Sequence, residues 1–357
     1  MPEILSVSKI VLPYKCPQSE LKNFARETFT GKFNDIDRLL ESFENAKIDF
    51  RNICVPVDYF RSQKTFKQKN DLFIELSLKY SVQAIEQSLE SSGIDKNEIT
   101  DIIFISSTGI STPGIDALII NEMKLNPNVN RYPLWGLGCA GGVSGIAKAN
   151  TIAKADPQAL VAVVSAELCS LTFIRDDVSK SNFIATGLFS DGIAAVLVKG
   201  DENENANKNN FSLKIIDSRS KLYYDTLDVM GWEILDEGFK VVFSKDIPNI
   251  VNQNVKGDIY SFLNKQNLTI SDIKNFVTHP GGIKVINAYI DALNIDPVLM
   301  NNTREVLKEF GNMSSATVLY VLDRFIEIGF EKGYTLMMSL GPGFSSEMVL
   351  LEAIIKY

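Results

Sequence analysis

The chain has 357 residues, which exceeds an ordinary single domain and favours two domains or two equivalent halves. Its content of 45% hydrophobic and 22% charged residues is typical of a globular protein with a large core and excludes a disordered chain. The formal net charge of -8 argues against a protein that binds nucleic acid.

The apolar and cysteine patterns exclude further classes. No run of about 18 or more apolar residues occurs and the N-terminus lacks a signal-peptide pattern, so we expect a cytoplasmic protein without a membrane span. The cysteines show no CxxC spacing, and only one histidine accompanies them. We therefore expect neither a metal site nor a disulfide framework. The cysteines are Cys16, Cys54, Cys139 and Cys169.

Apolar periodicity predicts alternating helices and strands in the first half of the chain. Two continuous apolar runs, Asp101–Ser107 and Ala159–Ser165, are short enough to be strands buried on both faces. Helical patterns separate them, so we expect a mixed or parallel sheet with helices on both faces. The other predicted elements are a strand at Leu5–Leu12, helices at Pro17–Phe29, Asp35–Asn45, Asp71–Ser91 and Gly114–Met123, a strand at Arg131–Trp135, a helix at Val143–Ala155 and a strand at Asp191–Val198.

A polar insert, Asp201–Asn210, divides the chain into segments 1–200 and 201–357, which we predict to be equivalent halves. The second half repeats the rhythm of the first, again with glycine-rich turns at strand ends. Its predicted elements are strands at Phe211–Arg219, Lys240–Phe243, Lys274–Thr278, Thr335–Leu340 and Glu347–Ile355, and helices at Ile247–Leu263, Ile283–Leu293 and Ser314–Ile328.

Cys139 lies in a glycine-rich turn between the strand predicted at Arg131–Trp135 and the helix predicted at Val143–Ala155. At a helix N-terminus, free N–H groups and the helix dipole lower the pKa of a thiol, and glycines let a substrate approach closely. We therefore predict that Cys139 is a nucleophile. The alternative is a small apolar residue in a buried turn.

His279 and Asn312 occupy comparable turns in the second half. His279, the only histidine, ends a predicted strand, and Asn312 lies between helical patterns, where it could also serve as a helix N-cap. Together with a cysteine they form a complete set for acyl transfer: the imidazole holds a thiolate that attacks a thioester, and imidazole and amide then stabilise an enolate. A cysteine protease uses the same residue types, but no papain-like pattern surrounds Cys139.

Five motifs stand in a fixed order along the chain: Gly138-Cys-Ala-Gly-Gly142, Thr278-His-Pro-Gly-Gly282, Asn302-Thr-Arg-Glu-Val306, Gly311-Asn-Met-Ser-Ser-Ala316 and Gly341-Pro-Gly-Phe344. With them the chain resembles the chalcone synthase family of type III polyketide synthases over nearly its whole length. The resemblance implies an α/β thiolase fold, with two pseudo-twofold halves in αβαβα layers, and a homodimer. It also implies iterative decarboxylative condensation of malonyl-CoA onto an acyl starter, followed by cyclisation, with CoA thioesters as substrates and no cofactor.

The resemblance also implies roles for individual residues. Cys139 becomes the nucleophile and acyl attachment point, and His279 and Asn312 become its partners in decarboxylation and condensation. Further positions match residues that line the family's cavity: the gatekeeper Phe189, Thr112 in a loop that reaches across the dimer, Ser314, and the turn formed by Gly341, Pro342, Gly343 and Phe344.

Two cavity positions depart from the plant members of the family. Val241 stands where they carry a second gatekeeper phenylalanine, and Cys169 stands where they carry a threonine. A smaller gatekeeper and a sulfur-lined wall widen an apolar space. We therefore expect a fatty acyl starter rather than an aromatic one, and an acylpyrone, alkylresorcinol or acylphloroglucinol product.

The family's basic residues for the CoA phosphates are only partly matched. Arg38 is kept, Glu41 and Asn45 replace two others, and Arg51 and Lys284 are candidate substitutes. Weak CoA contacts would fit a starter that arrives on an acyl carrier protein instead of CoA. These features, with the Asn- and Lys-rich composition, resemble the C-terminal domain of the slime-mould Steely hybrid synthases, which implies fused fatty acid synthase domains upstream.

The sequence leaves two alternative functions, and the first of them uses the same three residues. A ketoacyl synthase III-like enzyme stops after one condensation, and the motifs that follow His279 and Asn312 favour the polyketide synthase. A catalytically inactive homologue that serves as a dimer partner or scaffold would need a broken triad, which the sequence does not show.

Overall fold

A computed structural model describes residues 1–205, 207–244 and 247–356, apart from the side chains of 248, 252 and 253. The strands are β1 (Glu3–Ile10), β2 (Tyr14–Pro17), β3 (Phe50–Ile53), β4 (Asp101–Ser106), β5 (Asn130–Trp135), β6 (Leu160–Leu168), β7 (Asp191–Lys199), β8 (Phe211–Leu222), β9 (Met230–Leu235), β10 (Gly238–Phe243), β11 (Ile273–Thr278), β12 (Gly333–Gly341) and β13 (Ser345–Ile355). The helices are α1 (Gln18–Phe29), α2 (Ile36–Asn45), α3 (Phe66–Ser92), α4 (Ile115–Met123), α5 (Gly141–Ala155), α6 (Lys180–Leu188), α7 (Ile247–Ile250), α8 (Lys256–Asn264), α9 (Ile283–Leu293), α10 (Asn301–Phe310) and α11 (Thr317–Ile328).

Each half of the chain contributes one part of a mixed sheet, and four strands of each part follow the same order. In the first half the order is β1-β7-β6-β4-β5, and in the second it is β8-β13-β12-β11. In both parts the first two pairings are antiparallel and the third is parallel. The two parts meet where Glu3 and Ile4 of β1 pair with Lys214 and Leu213 of β8. This repetition confirms the predicted pseudo-twofold architecture.

Helices α5 and α11 form the central layer of the molecule. They pack against strands of both halves, and their apolar side chains join those of β4, β6, β12 and β13 in one core. Helices α3 and α4 cover the outer face of the first-half strands, while α8 and α9 cover the outer face of the second-half strands. The layers are therefore αβαβα, as the sequence predicted. No helix in the described ranges is long and apolar enough to cross a membrane.

Local signals account for the main differences from the predicted elements. Helix α3 begins at Phe66 rather than Asp71, because Thr65 and Gln68 form a capping box at its start. The predicted helix Ile247–Leu263 is present as α7 and α8, which are joined through a π-helical turn at Val251–Val255. The short strands β2, β3 and β9 and the helix α6 were not predicted, since they are short. Helix α10 was expected only as a helix that ends before Asn312, without a predicted start.

Candidate active site

Cys139 lies at the turn between β5 and α5, as the sequence predicted. A 3-10 turn over Gly138–Ala140 leads directly into α5, and Cys139 is 9% exposed. The amide of Gly138 donates a hydrogen bond of 2.8 Å to the hydroxyl of Ser107, which fixes this turn to the end of β4. The thiol is thereby held at the N-terminal end of a helix in the middle layer of the fold.

Asn312 connects Cys139 to the loop that carries His279. Its side-chain oxygen lies 4.0 Å from the Sγ of Cys139, and its side-chain nitrogen donates to the carbonyl of Gly281 at 3.4 Å. Its backbone is fixed on both sides, because its N–H donates to Leu188 at 3.0 Å and its carbonyl accepts from the N–H of Ser190 at 2.8 Å. The side chains from the two halves thus meet in one place.

His279 follows β11, and its amide donates to the carbonyl of Met338 in β12 at 2.9 Å. The side chain is 4% exposed, and neither ring nitrogen has a hydrogen-bond partner among the described residues. A buried imidazole normally satisfies its nitrogens. Both nitrogens are therefore available for a thiol or for a substrate oxygen that enters the site.

Burial dominates the protonation of both groups. It raises the pKa of the Cys139 thiol to about 12, against the opposing effect of hydrogen bonds from Ser314 and Asn312. It lowers the pKa of His279 to about 3. The helix end therefore does not by itself produce the low thiol pKa expected from the sequence. A thiolate at Cys139 therefore needs a group that takes up its proton and pairs with the buried charge, and His279 is the residue predicted for this role.

Glu167 is a charged residue of this site that the sequence analysis did not single out. It lies in the fully buried strand β6, and burial raises its pKa. One carboxylate oxygen accepts from Ser315 at 2.5 Å, and the other accepts from the amide of Ser107 and the hydroxyl of Thr108, both at 3.0 Å. The sequence signal that could have identified Glu167 is an acidic residue within a mostly apolar predicted strand. Its role here is to tie together the turns beside Cys139 and Asn312.

Three residues predicted to line the substrate space, Cys169, Phe189 and Val241, lie on the wall of an apolar cavity of about 60 Å³, and Phe189 links this cavity to Asn312. The ring of Phe189 packs against Phe243 at 5.5 Å and Trp232 at 6.1 Å between ring centroids. Val241 is smaller than the phenylalanine expected at its position. Phe189, however, is flanked by two aromatic rings that the sequence analysis did not predict. Phe189 also pairs with Asn312 through an isolated β-bridge.

The turn Gly341–Phe344 packs directly on the turn of Cys139. A Cβ atom at Gly138 would lie 2.6 Å from Pro342, and one at Gly341 would lie 2.5 Å from the Cβ of Ala140. Gly138 and Gly343 have positive φ angles of 46° and 72°, and Phe344 is fully buried. Because only glycine allows this approach, the turn forms a wall behind the nucleophile.

We expect Gly341→Ala to lower the free energy of unfolding by roughly 1–3 kcal/mol, because the added methyl group overlaps Ala140. Chemical denaturation measures the change. Gly231→Ala is the matched control, since nothing lies within 4 Å of a Cβ atom built there. Equal stability of the two variants would contradict the close packing.

The remaining predicted residues differ in their surroundings. Thr112 is exposed, in a loop that lines a second cavity of about 550 Å³. Ser314 is buried beside Asn312, to whose side-chain oxygen its amide donates at 2.8 Å. Arg38 and Lys284 are exposed. Contacts of these two residues with CoA phosphates stay a prediction.

Arg51 has different surroundings from those expected of a phosphate ligand. It is 2% exposed, and its guanidinium donates to the backbone carbonyls of Thr186 at 2.5 Å and Phe189 at 3.0 Å. Burial lowers its pKa to about 9. These contacts hold the segment around the gatekeeper and argue against a role at the protein surface.

Comparison with known proteins identifies the family. The model for the N-terminal domain of chalcone and stilbene synthases matches residues 56–202, and the model for their C-terminal domain matches residues 215–355. The chain belongs to the chalcone and stilbene synthase family. It is therefore a type III polyketide synthase and a transferase of the chalcone synthase-like type.

Bacterial and slime-mould relatives match almost the whole chain. An inferred chalcone synthase of Bacillus subtilis (strain 168) is 43% identical, and the match covers 98% of each chain. The structure of 1,3,6,8-tetrahydroxynaphthalene synthase from Streptomyces coelicolor A3(2) has a TM-score of 0.92 at 25% identity, with 99% of each chain covered. The type III polyketide synthase domain of Steely1 from Dictyostelium gives 0.91 at 26% identity, again with 99% of each chain covered. The likeness to Steely domains is thus present, at lower identity than to the Bacillus protein.

Proposed function

We propose that this type III polyketide synthase loads a fatty acyl starter onto Cys139, extends it with several malonyl units and then closes the chain to a ring. The observation that carries the proposal is the junction of Cys139, Asn312 and the His279 loop beside an apolar cavity. A thioester carbonyl at Cys139 would then lie next to amide and imidazole donors, which favour the enolate formed when malonyl loses CO2.

The lining of the apolar cavity supports an aliphatic starter. Its wall consists mainly of aliphatic side chains and ring edges, namely Leu21, Phe24, Ile53, Val57, Phe60 and Phe173. Apart from Arg51, no charged side chain among the described residues lines it. A methylene chain buries its surface against such a wall without leaving a polar group unpaired.

The proposal is tested with a series of straight-chain acyl-CoAs of increasing length (the acyl-CoA ladder) and with coumaroyl-CoA. Each starter is incubated with malonyl-CoA, and mass spectrometry identifies the products. We expect pyrones or resorcinols with several extensions from hexanoyl and longer starters. Faster turnover of coumaroyl-CoA would overturn the fatty acyl assignment. Products with a single extension would favour the ketoacyl synthase III-like reaction.

Val241→Phe is expected to shift the preferred starter towards shorter chains and to lower kcat/KM for the longest accepted starter by about tenfold. The physical reason is that Val241 is 6% exposed and lines the apolar cavity, so a ring there removes space from the chain. The same ladder measures the shift. Val242→Phe is the control, because adjacent strand residues point to opposite faces; the same shift in both variants would contradict the assignment.

We also infer that the protein forms a homodimer through the edge of the sheet at β5. This strand ends the sheet, and Tyr132, Trp135 and the nearby Ile110 are exposed. Thr112 lies in the loop beside them, next to the cavity of about 550 Å³. An exposed apolar edge of this kind favours pairing with a second chain, and the mass of the protein in solution tests it.

A further inference from the structure

Helix α6 ends beside Asn312, and residues from three other segments of the chain cap its last carbonyl groups. The last carbonyls of a helix have no partner within the helix and are satisfied from outside it. Here the carbonyls of residues 186, 187 and 188 accept in turn from Nη1 of Arg51, from the side chain of Gln18 at 2.8 Å and from the backbone N–H of Asn312. The backbone of Asn312 is therefore part of the cap of this helix.

Arg51 contacts both sides of the junction between α6 and Asn312. Besides the carbonyl of Thr186, its Nη1 donates to the carbonyl of Phe189 at 3.0 Å, and Phe189 pairs with Asn312 through the isolated β-bridge. Its stem packs on Gly311, because a Cβ atom there would lie 2.9 Å from Cγ and 3.2 Å from Cδ of Arg51. The head of Arg51 thus fixes one partner of the bridge, and its stem packs on the residue before the other.

Strand β3 holds Arg51 in this place. The next residue, Asn52, donates from its N–H to the hydroxyl of Ser190 at 3.0 Å, and the same hydroxyl donates to the carbonyl of Asn52 at 2.8 Å. The N–H of Ser190 in turn donates to the carbonyl of Asn312. Strand β3, the end of α6 and the backbone of Asn312 therefore form one connected hydrogen-bonded unit.

The guanidinium of Arg51 has few partners of its own. Its Nε and Nη2 atoms have no hydrogen-bond partner among the described residues, and none of the ion pairs between those residues includes it. Buried donors without partners cost free energy. The favourable part of its surroundings is the end of α6, because the C-terminal end of a helix attracts a cation. The position of Arg51 is thus explained by the two carbonyls that it holds.

The position of the Asn312 side chain decides what it can do at the active site. Its oxygen lies 4.0 Å from the Sγ of Cys139, and its nitrogen lies 3.4 Å from the carbonyl of Gly281. A misplacement of about 1 Å at a reacting centre can lower a rate about 10²-fold. A residue that fixes the backbone of Asn312 therefore affects the reaction without touching the substrate.

We propose that Arg51 is a positioning residue for chain extension: it holds the end of α6, packs on Gly311 and so places the Asn312 amide where it acts on the malonyl unit. The inference rests on the proposed roles of Cys139 and Asn312. Arg51 acts through the backbone of residues 311 and 312. Loading of the starter needs the thiol of Cys139 and should not depend on Arg51.

Arg51→Met removes the guanidinium and keeps an unbranched stem. We expect acylation of Cys139 to persist in this variant, while the rate of condensation with malonyl-CoA falls about tenfold or more. Arg51→Lys keeps a cation, but its ammonium ends one bond short of the position of Nη1, so it should recover only part of the loss. Acyl-enzyme mass and malonyl-CoA consumption report loading and extension separately.

Gln18→Leu is the matched control. Gln18 is also buried, and its side chain also caps a carbonyl at the end of α6, that of Gly187. Its other side-chain hydrogen bond goes to the carbonyl of Phe43 at 3.2 Å, away from the Asn312 turn. Since both variants uncap this helix end, a loss of extension that came only from weaker folding would appear in both. We expect Gln18→Leu to extend the starter within about twofold of the wild-type rate.

A double-mutant cycle with Asn312→Ala tests whether Arg51 acts through the amide. If it does, Arg51→Met should lower the extension rate about tenfold in wild type and leave it nearly unchanged in the Asn312→Ala background. A merely structural role would give the same fold-loss in both backgrounds. Thermal melting of each variant reports whether it is folded.

A wild-type extension rate in folded Arg51→Met, an equal loss in Gln18→Leu, or equal losses in both backgrounds would overturn the inference and leave the proposed function intact. If wild type extended no starter, the proposed function itself would fail. If Arg51→Met is unfolded, the lysine variant decides. A wild-type extension rate in Arg51→Lys would overturn the inference, and a loss that disappears in the Asn312→Ala background would support it.

Discussion

Cys139→Ala is expected to abolish polyketide formation, with a loss of roughly 10⁴-fold or more, because the variant lacks the thiol proposed to hold the acyl chain. The structure supports this expectation, since the thiol is fixed at the start of α5 and lies 4.0 Å from the side-chain oxygen of Asn312. Intact-protein mass spectrometry after incubation with an acyl-CoA measures the effect. Wild type should gain the mass of the acyl group, and the variant should not.

Cys16→Ala is the matched control for this experiment. Cys16 is also a buried free thiol, but it lies in β2, away from the triad. That variant should still be acylated. Acylation or product formation by Cys139→Ala would show that the chain is carried elsewhere and would remove the basis of the mechanism.

Asn312→Ala should separate starter loading from chain extension. The thiol remains, so we expect acylation of Cys139 to persist. The rates of decarboxylation and condensation of malonyl-CoA should fall about 10²–10³-fold, because the amide donor is missing. The fold should tolerate the change, because the contacts with Leu188 and Ser190 use the Asn312 backbone. Acyl-enzyme mass and malonyl-CoA consumption, measured on the same samples, report the two steps.

Asn312→Asp sharpens this test because it keeps the volume and the oxygen that accepts from the amide of Ser314. It lacks the N–H donor, so extension should fall as in the alanine variant. Asn301→Ala, at an exposed position at the start of α10, should extend normally. If Asn312→Asp extended the starter at the wild-type rate, donation by the amide would not be needed.

The sequence predicted the elements that position the nucleophile and its partners. Glycine-rich turns after apolar strands located Cys139 and His279 at strand ends, and the structure places them there. Local patterns suffice for this, because a strand end and a tight turn each depend on a few adjacent residues. Asn312 likewise lies between α10 and α11, as the helical patterns on either side indicated.

The surroundings of those residues could not be derived in the same way. Phe243 and Trp232 meet Phe189 through a hairpin about 40 residues further along the chain, and neither residue carries a motif. Arg51 resembled a surface cation, yet it is buried against the carbonyls of residues 186 and 189. Such contacts depend on how distant segments pack, which periodicity does not record.

The sequence alone therefore determined the family and the layered α/β fold, and it predicted which three residues form the triad. The tertiary structure alone decided their environment, in which burial opposes charge on both Cys139 and His279. The physical reason is that residue type and spacing specify chemistry and local backbone, whereas dielectric surroundings and cavity walls arise only when both halves close around α5 and α11.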